Sequence, residues 1–284
     1  FVPSHATVAE RIAAVWSRTV QSPPATLLIG DDREAMRAIA AASCGRLGLG
    51  LLEMPADAIP ATPGERATLA RLWERESALS NAALYIDALE PDGALASISR
   101  FVDTLSSPLL LGLSEPLRGV RRSSITLLVR RPTAAEQRDL WRTHLGPTAI
   151  GLNGQVDRLA AQFDLTGIAI RSSVSEAMFG GDLNLRLNDS LWEASRSQAR
   201  ARLDDLAERI ESTAAWDDLV LPLDSLAPLH ELASQVQHRT TVYERWGFDN
   251  GSRRGLGVSA LFAGPSGTGK TLAAEVLAHE LRLD

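Results

Sequence analysis

The stretch VSALFAGPSGTGKTLAAEVLAHEL, residues 258–281, combines an apolar run, a glycine-rich turn and a segment of good helix formers. Val258–Ala263 is short and mostly apolar, as expected of a buried strand in a parallel sheet. From Thr271 onwards, apolar side chains recur at 272, 276, 277 and 281, the spacing of one helix face. The order therefore predicts a strand, a tight loop and a helix whose free N-terminal N–H groups point at an anion.

The loop within this stretch, GPSGTGKT (264–271), fits the phosphate-binding pattern G-x-x-x-x-G-K-[ST]. Of the 29 basic residues in the sequence, only Lys270 is a lysine. A compact ammonium can reach the β- and γ-phosphates among crowded backbone amides, whereas a planar guanidinium fits there poorly. We predict that ATP or ADP is bound by the loop residues, with Mg²⁺ on the hydroxyl of the last of them: Gly264, Pro265, Ser266, Gly267, Thr268, Gly269, Lys270 and Thr271.

Hydrolysis of ATP needs more than this loop. A carboxylate on a second strand must complete the Mg²⁺ shell, and an acid usually orients the attacking water. In this class of fold that strand follows the loop, but the sequence given stops at Asp284. We therefore expect no catalytic residue for Lys270 within this chain, and no hydrolysis by this length of chain alone.

A degenerate copy of the loop lies 234 residues upstream, where LLIGDDREAMRAIA (27–40) aligns with LFAGPSGTGKTLAA (261–274). Gly30 keeps the first glycine of the pattern, whereas Met36 and Arg37 replace its lysine and its threonine. The substitutions predict a nucleotide-binding module that has lost its nucleotide.

Acidic residues also mark this upstream copy. Asp31 and Asp32 stand where phosphate would lie, and like charges there repel. Asp87 follows the apolar run Ala82–Ile86, with Glu90 three residues later. Asp87 has either the position of a Mg²⁺-binding carboxylate or the role of a strand-end cap or loop anchor, and the lost lysine favours the second. The predicted degenerate site comprises Gly30, Met36, Arg37, Asp87 and Glu90.

Apolar segments alternate with helical ones over the first half of the chain, which predicts a three-layer α/β sandwich around a mostly parallel five-stranded sheet. The predicted strands lie at 27–30, 48–54, 82–86, 109–113 and 125–129, with helices over 65–81 and 132–145, the latter with Thr133 as N-cap. Three helical segments then predict a lid: Gln155–Phe163, Ile168–Met178 and Asp189–Ile210.

Composition restricts the functional classes. The net charge of -6 gives no basic surface for nucleic acid, so nucleic acid is a disfavoured partner. No apolar run is long enough to span a bilayer, and the single Cys44 excludes an internal disulfide. We expect a soluble, cytoplasmic protein with no membrane partner.

The order of an α/β core, a helical lid and a second phosphate-binding loop resembles tandem AAA+ ATPases of the P-loop NTPase fold. Phe163–Ile170 resembles the segment that joins two lid helices, and Trp216–Leu221 resembles the segment before an AAA+ module that packs on adenine. With Arg253–Val258 and VYERWGF (242–248) included, the chain is most similar to the large bacterial AAA-type ATPase of extracellular contractile injection system clusters.

This resemblance implies an ATPase that assembles into a homo-oligomeric ring, usually of six subunits, and remodels protein complexes or injection-system components. It places the adenine against Asp218, Leu219 and Val220. A trans-acting arginine could come from Arg118, Arg121 or Arg122, although salt bridges or surface positions are favoured for these three. The implied divisions are an N-terminal helix (1–23), a degenerate AAA+ core (24–148), a lid (149–212), a connector (213–257) and the start of a second module (258–284).

Two functions remain open on the sequence, and a third, a P-loop protein that acts in DNA transactions, is disfavoured by the acidic net charge and testable by salt-dependent DNA binding. In the first, the degenerate module serves assembly or docking, and the second module hydrolyses ATP in the intact protein. In the second, nucleotide at Lys270 fixes the shape of a scaffold without turnover. Downstream carboxylates would distinguish the two.

Overall fold

The computed structural model describes residues 1–19, 22–90, 95–152, 154–179, 187–200, 213–240, 242, 246 and 258–283. Within them, the predicted α/β fold is confirmed. Five strands form a single sheet in the order β2-β3-β4-β1-β5, and each neighbouring pair is parallel. The strands are β1 (Ala25–Ile29), β2 (Gly50–Pro55), β3 (Ala82–Ala88), β4 (Leu109–Leu113) and β5 (Ser124–Leu128).

Helices cover both faces of this sheet, because alternate residues of the central strands are apolar on both sides. Leu27 and Ile86 face one apolar cluster, and Leu28 and Tyr85 face the other. The helices that cover the two faces are α1 (Pro3–Ser17), α2 (Arg33–Arg46), α3 (Pro63–Ser80) and α4 (Leu95–Thr104). α1 and α2 pack on the Tyr85 face and α3 and α4 on the Ile86 face, which gives the three predicted layers.

A helical unit follows the sheet: α5 (Ala134–Leu145), α6 (Gln155–Gln162), α7 (Gly167–Phe179) and α8 (Leu187–Arg200). The predicted N-cap of α5 is confirmed, since the Thr133 hydroxyl accepts from the Glu136 N–H and the Glu136 carboxylate accepts from the Thr133 N–H. Trp141 and Leu145 of α5 are buried in the same apolar cluster as the residues of α6 to α8. The apolar cluster of the helical unit therefore includes side chains of α5.

The last described helices are α9 (Leu223–Thr240) and α10 (Lys270–Leu281), preceded by a short 3-10 turn at Trp216–Asp218. α10 corresponds to the helix predicted after the glycine-rich loop, with Val276 and Leu277 buried as expected. The predicted helix over 189–210 is described only to Arg200, and its remainder lies outside the described residues, as do 243–245 and 247–257.

Two sequence predictions differ from the structure. The expected strand over 258–263 is not formed: the segment is irregular, and Leu261 is 92% exposed. A parallel strand needs a neighbouring strand to complete its hydrogen bonds, and no described strand pairs with residues 258–263. α4 was not predicted, although Ile98, Phe101 and Val102 form a clear apolar face on it.

No helix within the described ranges is long and apolar enough to cross a bilayer.

Candidate functional site

The glycine-rich loop leads directly into α10. Gly267 and Gly269 have φ angles of 82° and 79°, a left-handed conformation that a side chain would strain, so the pattern's glycines are needed for the turn. Gly269 is the N-cap of α10, and no side chain caps the helix there. Its N-terminal N–H groups therefore face the loop without a side-chain acceptor, which suits an anion.

Lys270, the first residue of α10, folds back over this loop. Its Nζ donates to the carbonyl oxygens of Gly264, at 3.0 Å, and Pro265, at 2.5 Å. Thr268 Oγ1 also donates to the Pro265 carbonyl, at 2.9 Å. The side chain of Thr271, the predicted Mg²⁺ ligand, is exposed. The ammonium thus lies against the backbone of the loop, beside the start of α10.

The segment predicted to line the adenine lies beside α10, but its three residues have different environments. Leu219 is buried against Ala273 and Val276 of α10. The Asp218 carboxylate accepts from the Ala215 N–H at 2.8 Å, and Val220 is 93% exposed. The structure therefore brings Leu219 to the helix that starts at Lys270 and leaves the Val220 side chain in solvent.

The far end of α10 contacts the helical unit. Arg282 Nη1 lies 2.6 Å from the Asp189 carboxylate of α8, and Trp192 Nε1 donates to the Arg282 carbonyl at 3.4 Å. Glu280 accepts from Gln237 of α9 at 3.0 Å. A single helix thus joins the glycine-rich loop to α8 and α9.

The upstream copy has a shorter loop. Only Gly30–Asp32 separates β1 from α2, whereas Gly264–Gly269 precedes α10. Residues aligned by sequence are consequently not equivalent in structure: Met36 lies inside the first turns of α2, while Lys270 starts its helix. The loop between β1 and α2 is thus three residues long, against the six of Gly264–Gly269.

A carboxylate of the chain itself caps the N-terminus of α2. Asp32 is the N-cap, and its Oδ1 accepts from the Ala35 N–H at 3.0 Å. Asp32 is 6% exposed, so this negative charge lies inside the turn rather than in solvent. The cap explains how an aspartate is tolerated at a position where the sequence suggested only repulsion.

Apolar side chains fill the space below this turn. Met36 is fully buried beside Tyr85, in the cluster between α2 and the sheet. A Cβ added at Gly30 would lie 2.5 Å from the Val129 carbonyl oxygen and 3.0 Å from Met36 Cε, so glycine is needed there for close packing. Burial, followed by the nearby carboxylates of Asp87 and Glu53, raises the pKa of Tyr85.

Asp87 and Arg37 of the predicted degenerate site form ion pairs with neighbours. Asp87 Oδ2 lies 2.7 Å from Arg33 Nε, and Arg37 Nε lies 2.8 Å from Glu53 Oε2. Glu90 is exposed at the end of the turn after β3. Both pairs tie α2 to strand residues. Asp87 Oδ1 also accepts from the Leu89 N–H at 3.4 Å, just past the end of β3.

The three candidate trans-acting arginines lie at the opposite, amino end of β5. Arg122 Nη2 donates to three backbone carbonyl oxygens, those of Pro23, Ser106 and Ser107. The backbone N–H groups of Arg121 and Arg122 donate to Asp103. Burial lowers the pKa of Arg122, opposed by the charge of Glu74. These contacts favour the structural role for Arg122.

Sequence reasoning missed Arg131, which follows β5 and joins the core to the helical unit. Its guanidinium contacts the Asp31 carboxylate and the Asp164 carbonyl oxygen. The only signal in the sequence is a pair of arginines after an apolar strand. Such a pair does not predict that Arg131 contacts Asp31, 100 residues earlier in the chain. Among the described residues, no group of histidine, cysteine and carboxylate side chains could by itself hold a metal ion.

Comparison with known proteins relates one part of the chain to a family. Residues 133–201 match the family described as the contractile injection system ATPase helical domain. The matched segment starts at the N-cap of α5 and extends just past α8, so it corresponds to the helical unit. A search of curated proteins finds no match to the chain.

Proposed function

Because its helical unit is related to that of contractile injection system ATPases, we propose that this chain is the ATP-binding part of a tandem AAA+ ATPase that remodels protein complexes. In this proposal ATP or ADP binds with Mg²⁺ at the loop 264–271, and the intact protein hydrolyses it. The subunits assemble as a ring, with injection-system components among the protein partners.

The observation that carries the proposal is the position of Lys270. Its ammonium lies against the Gly264 and Pro265 carbonyl oxygens, at the start of a helix that has no side-chain cap. A bound phosphate would accept from the same ammonium and from the helix N–H groups, exchanging weak neutral acceptors for a charged one. Thr271, exposed beside it, would supply the hydroxyl for Mg²⁺.

In the same proposal the upstream module binds no nucleotide and serves assembly or docking. Three observations support this role. The loop Gly30–Asp32 is short, the Asp32 carboxylate caps α2, and Met36 lies in the apolar core where a phosphate-binding lysine would be unable to reach a ligand.

The direct test measures ATP binding and steady-state hydrolysis by the native-length protein, with Lys270→Ala and Lys270→Arg as variants. We expect binding to be lost in Lys270→Ala, and Lys270→Arg to recover little of it, since a guanidinium keeps the charge but not the compact shape. Arg37→Ala, at the aligned position of the upstream copy, is the matched control and should bind ATP like the wild type.

Each outcome distinguishes one hypothesis. Hydrolysis that disappears with Lys270 establishes one working site per subunit. ATP binding without hydrolysis in the native-length protein favours the scaffold instead. Equal binding by the wild type and Lys270→Ala would contradict the site itself.

A further inference from the structure

The end of the sheet where a nucleotide would bridge core and lid is occupied by contacts of the chain itself. Arg131 Nε and Nη2 both donate to the Asp31 carboxylate, with the Nε contact at 3.1 Å. On its other side Arg131 Nη1 donates to the Asp164 carbonyl oxygen. Asp31 belongs to the short loop after β1 and Asp164 to the turn between α6 and α7, so one guanidinium contacts both the core and the helical unit.

A second contact holds the same turn. Gln137 of α5 is 2% exposed, and its Nε2 donates to the Asp164 carboxylate at 3.1 Å and to the Pro132 carbonyl at 2.9 Å. Its Oε1 accepts from the Leu165 N–H at 3.4 Å. Arg131 therefore holds the backbone carbonyl of Asp164. Gln137 holds the Asp164 carboxylate and the Leu165 N–H.

The charges of the upstream loop are thereby both satisfied within the protein. Asp32 occupies the N-terminus of α2, and Asp31 pairs with a cation. A helix N-terminus and a positive side chain are also the two partners that a phosphate group meets in a nucleotide site. The hydrogen bonds from Arg131 to Asp31, opposed by partial burial, raise the pKa of Arg131.

We propose that Asp31 and Asp32 take the place of a nucleotide phosphate in the upstream module, so that Arg131 keeps the helical unit fixed on the sheet without ligand. This rests on the proposed absence of nucleotide from that module. It adds that the module is an ordered unit at every stage of the ATP cycle, held by Asp31, Arg131 and Asp164.

The test is hydrogen exchange of the full chain, followed over the backbone amides of residues 163–179. Asp31→Ala and Arg131→Ala should each speed exchange there about fivefold, the effect expected of a partly exposed ion pair with good geometry. The double variant should exchange no faster than Arg131→Ala, because the Asp31–Arg131 ion pair is already absent from that single variant. Arg131→Lys should behave like Arg131→Ala, since an ammonium cannot reach both partners in the fork geometry.

Arg37→Ala is the matched control, since the Arg37–Glu53 pair lies at the same end of the sheet but joins only α2 to β2. It should leave exchange of 163–179 unchanged. Unchanged exchange in Asp31→Ala, or equal acceleration in Arg37→Ala, would overturn the proposal.

A second measurement separates this inference from the proposed ATP site. In a Lys270→Ala background, added ATP should leave exchange of 163–179 unchanged. Protection by ATP there would mean that the upstream module binds nucleotide, and would overturn the inference. Failure of the wild type to bind ATP at Lys270 would instead contradict the proposed function and leave the Arg131 contacts untouched.

Discussion

Replacing Met36 with lysine would restore the sequence pattern of the upstream loop, and we expect it to restore no function. The aligned position suggests a lost phosphate ligand. In the structure, however, Met36 lies inside α2, is fully buried and packs beside Tyr85. A lysine placed there by Met36→Lys has no solvent and no anion within its apolar cluster.

The cost follows from this burial. A buried lysine has its pKa lowered by about 3–5 units, and each unit corresponds to about 1.36 kcal/mol. At pH 7 this cost is limited to the roughly 3.4 units between the ordinary lysine pKa of ~10.4 and the ambient pH, because a lysine whose pKa falls further is neutral. Met36→Lys should therefore lower the free energy of unfolding at neutral pH by about 4–5 kcal/mol, a large part of the ~5–15 kcal/mol typical of a domain. Met36→Leu, which conserves apolar volume, should cost less than about 1.5 kcal/mol.

The assay is urea unfolding followed by tryptophan fluorescence, with ATP binding measured in a Lys270→Ala background. We expect a lower urea midpoint for Met36→Lys and no recovery of binding. A variant that kept the wild-type midpoint and bound ATP would show that position 36 reaches a ligand, and would refute the argument from loop length and burial.

Two further predictions concern contacts near the ends of β5. Burial disfavours ionisation of Glu136, but hydrogen bonds from Thr133 and Ser4 outweigh it and hold the pKa of this carboxyl below its usual value. The stabilisation is therefore present at neutral pH and is lost as the pH falls through the lowered pKa. Glu136→Gln should cost about 1 kcal/mol at pH 7 and progressively less as the pH falls below about 4, measured by urea unfolding over this pH range. Arg122→Ala removes donors from three carbonyl oxygens and should lower stability by about 2 kcal/mol while leaving ATP turnover per folded subunit unchanged; a turnover loss without destabilisation would support the trans-acting role.

The sequence predicted the sheet well because its central strands are continuous apolar runs. Leu109–Leu113 is buried at every position, and a run of this length is typical of a strand, since helices usually need at least about 10 residues. Thr133 was predictable as an N-cap because capping is local, and the glutamate three residues on completes it.

The site was harder to predict because its decisive features are not local. In the sequence alignment Met36 stands opposite Lys270. Because α2 starts after a loop of only three residues, Met36 lies inside its helix whereas Lys270 begins one, and this difference is visible only in the structure. The contacts of Arg131 link residues 31, 131 and 164, and no periodicity connects such distant positions. Val258–Ala263 had strand-like composition, but a strand also depends on a neighbour that the described residues do not provide.

The position of Lys270 also has a practical consequence. It is the only lysine in the sequence, and its amino group lies against the glycine-rich loop, donating to the Gly264 and Pro265 carbonyl oxygens. An acylating reagent selective for side-chain amines therefore has one target in this chain, and that target is the proposed phosphate site. Occupancy of the loop can thus be followed as protection of a single residue from chemical labelling, with no tag or introduced probe.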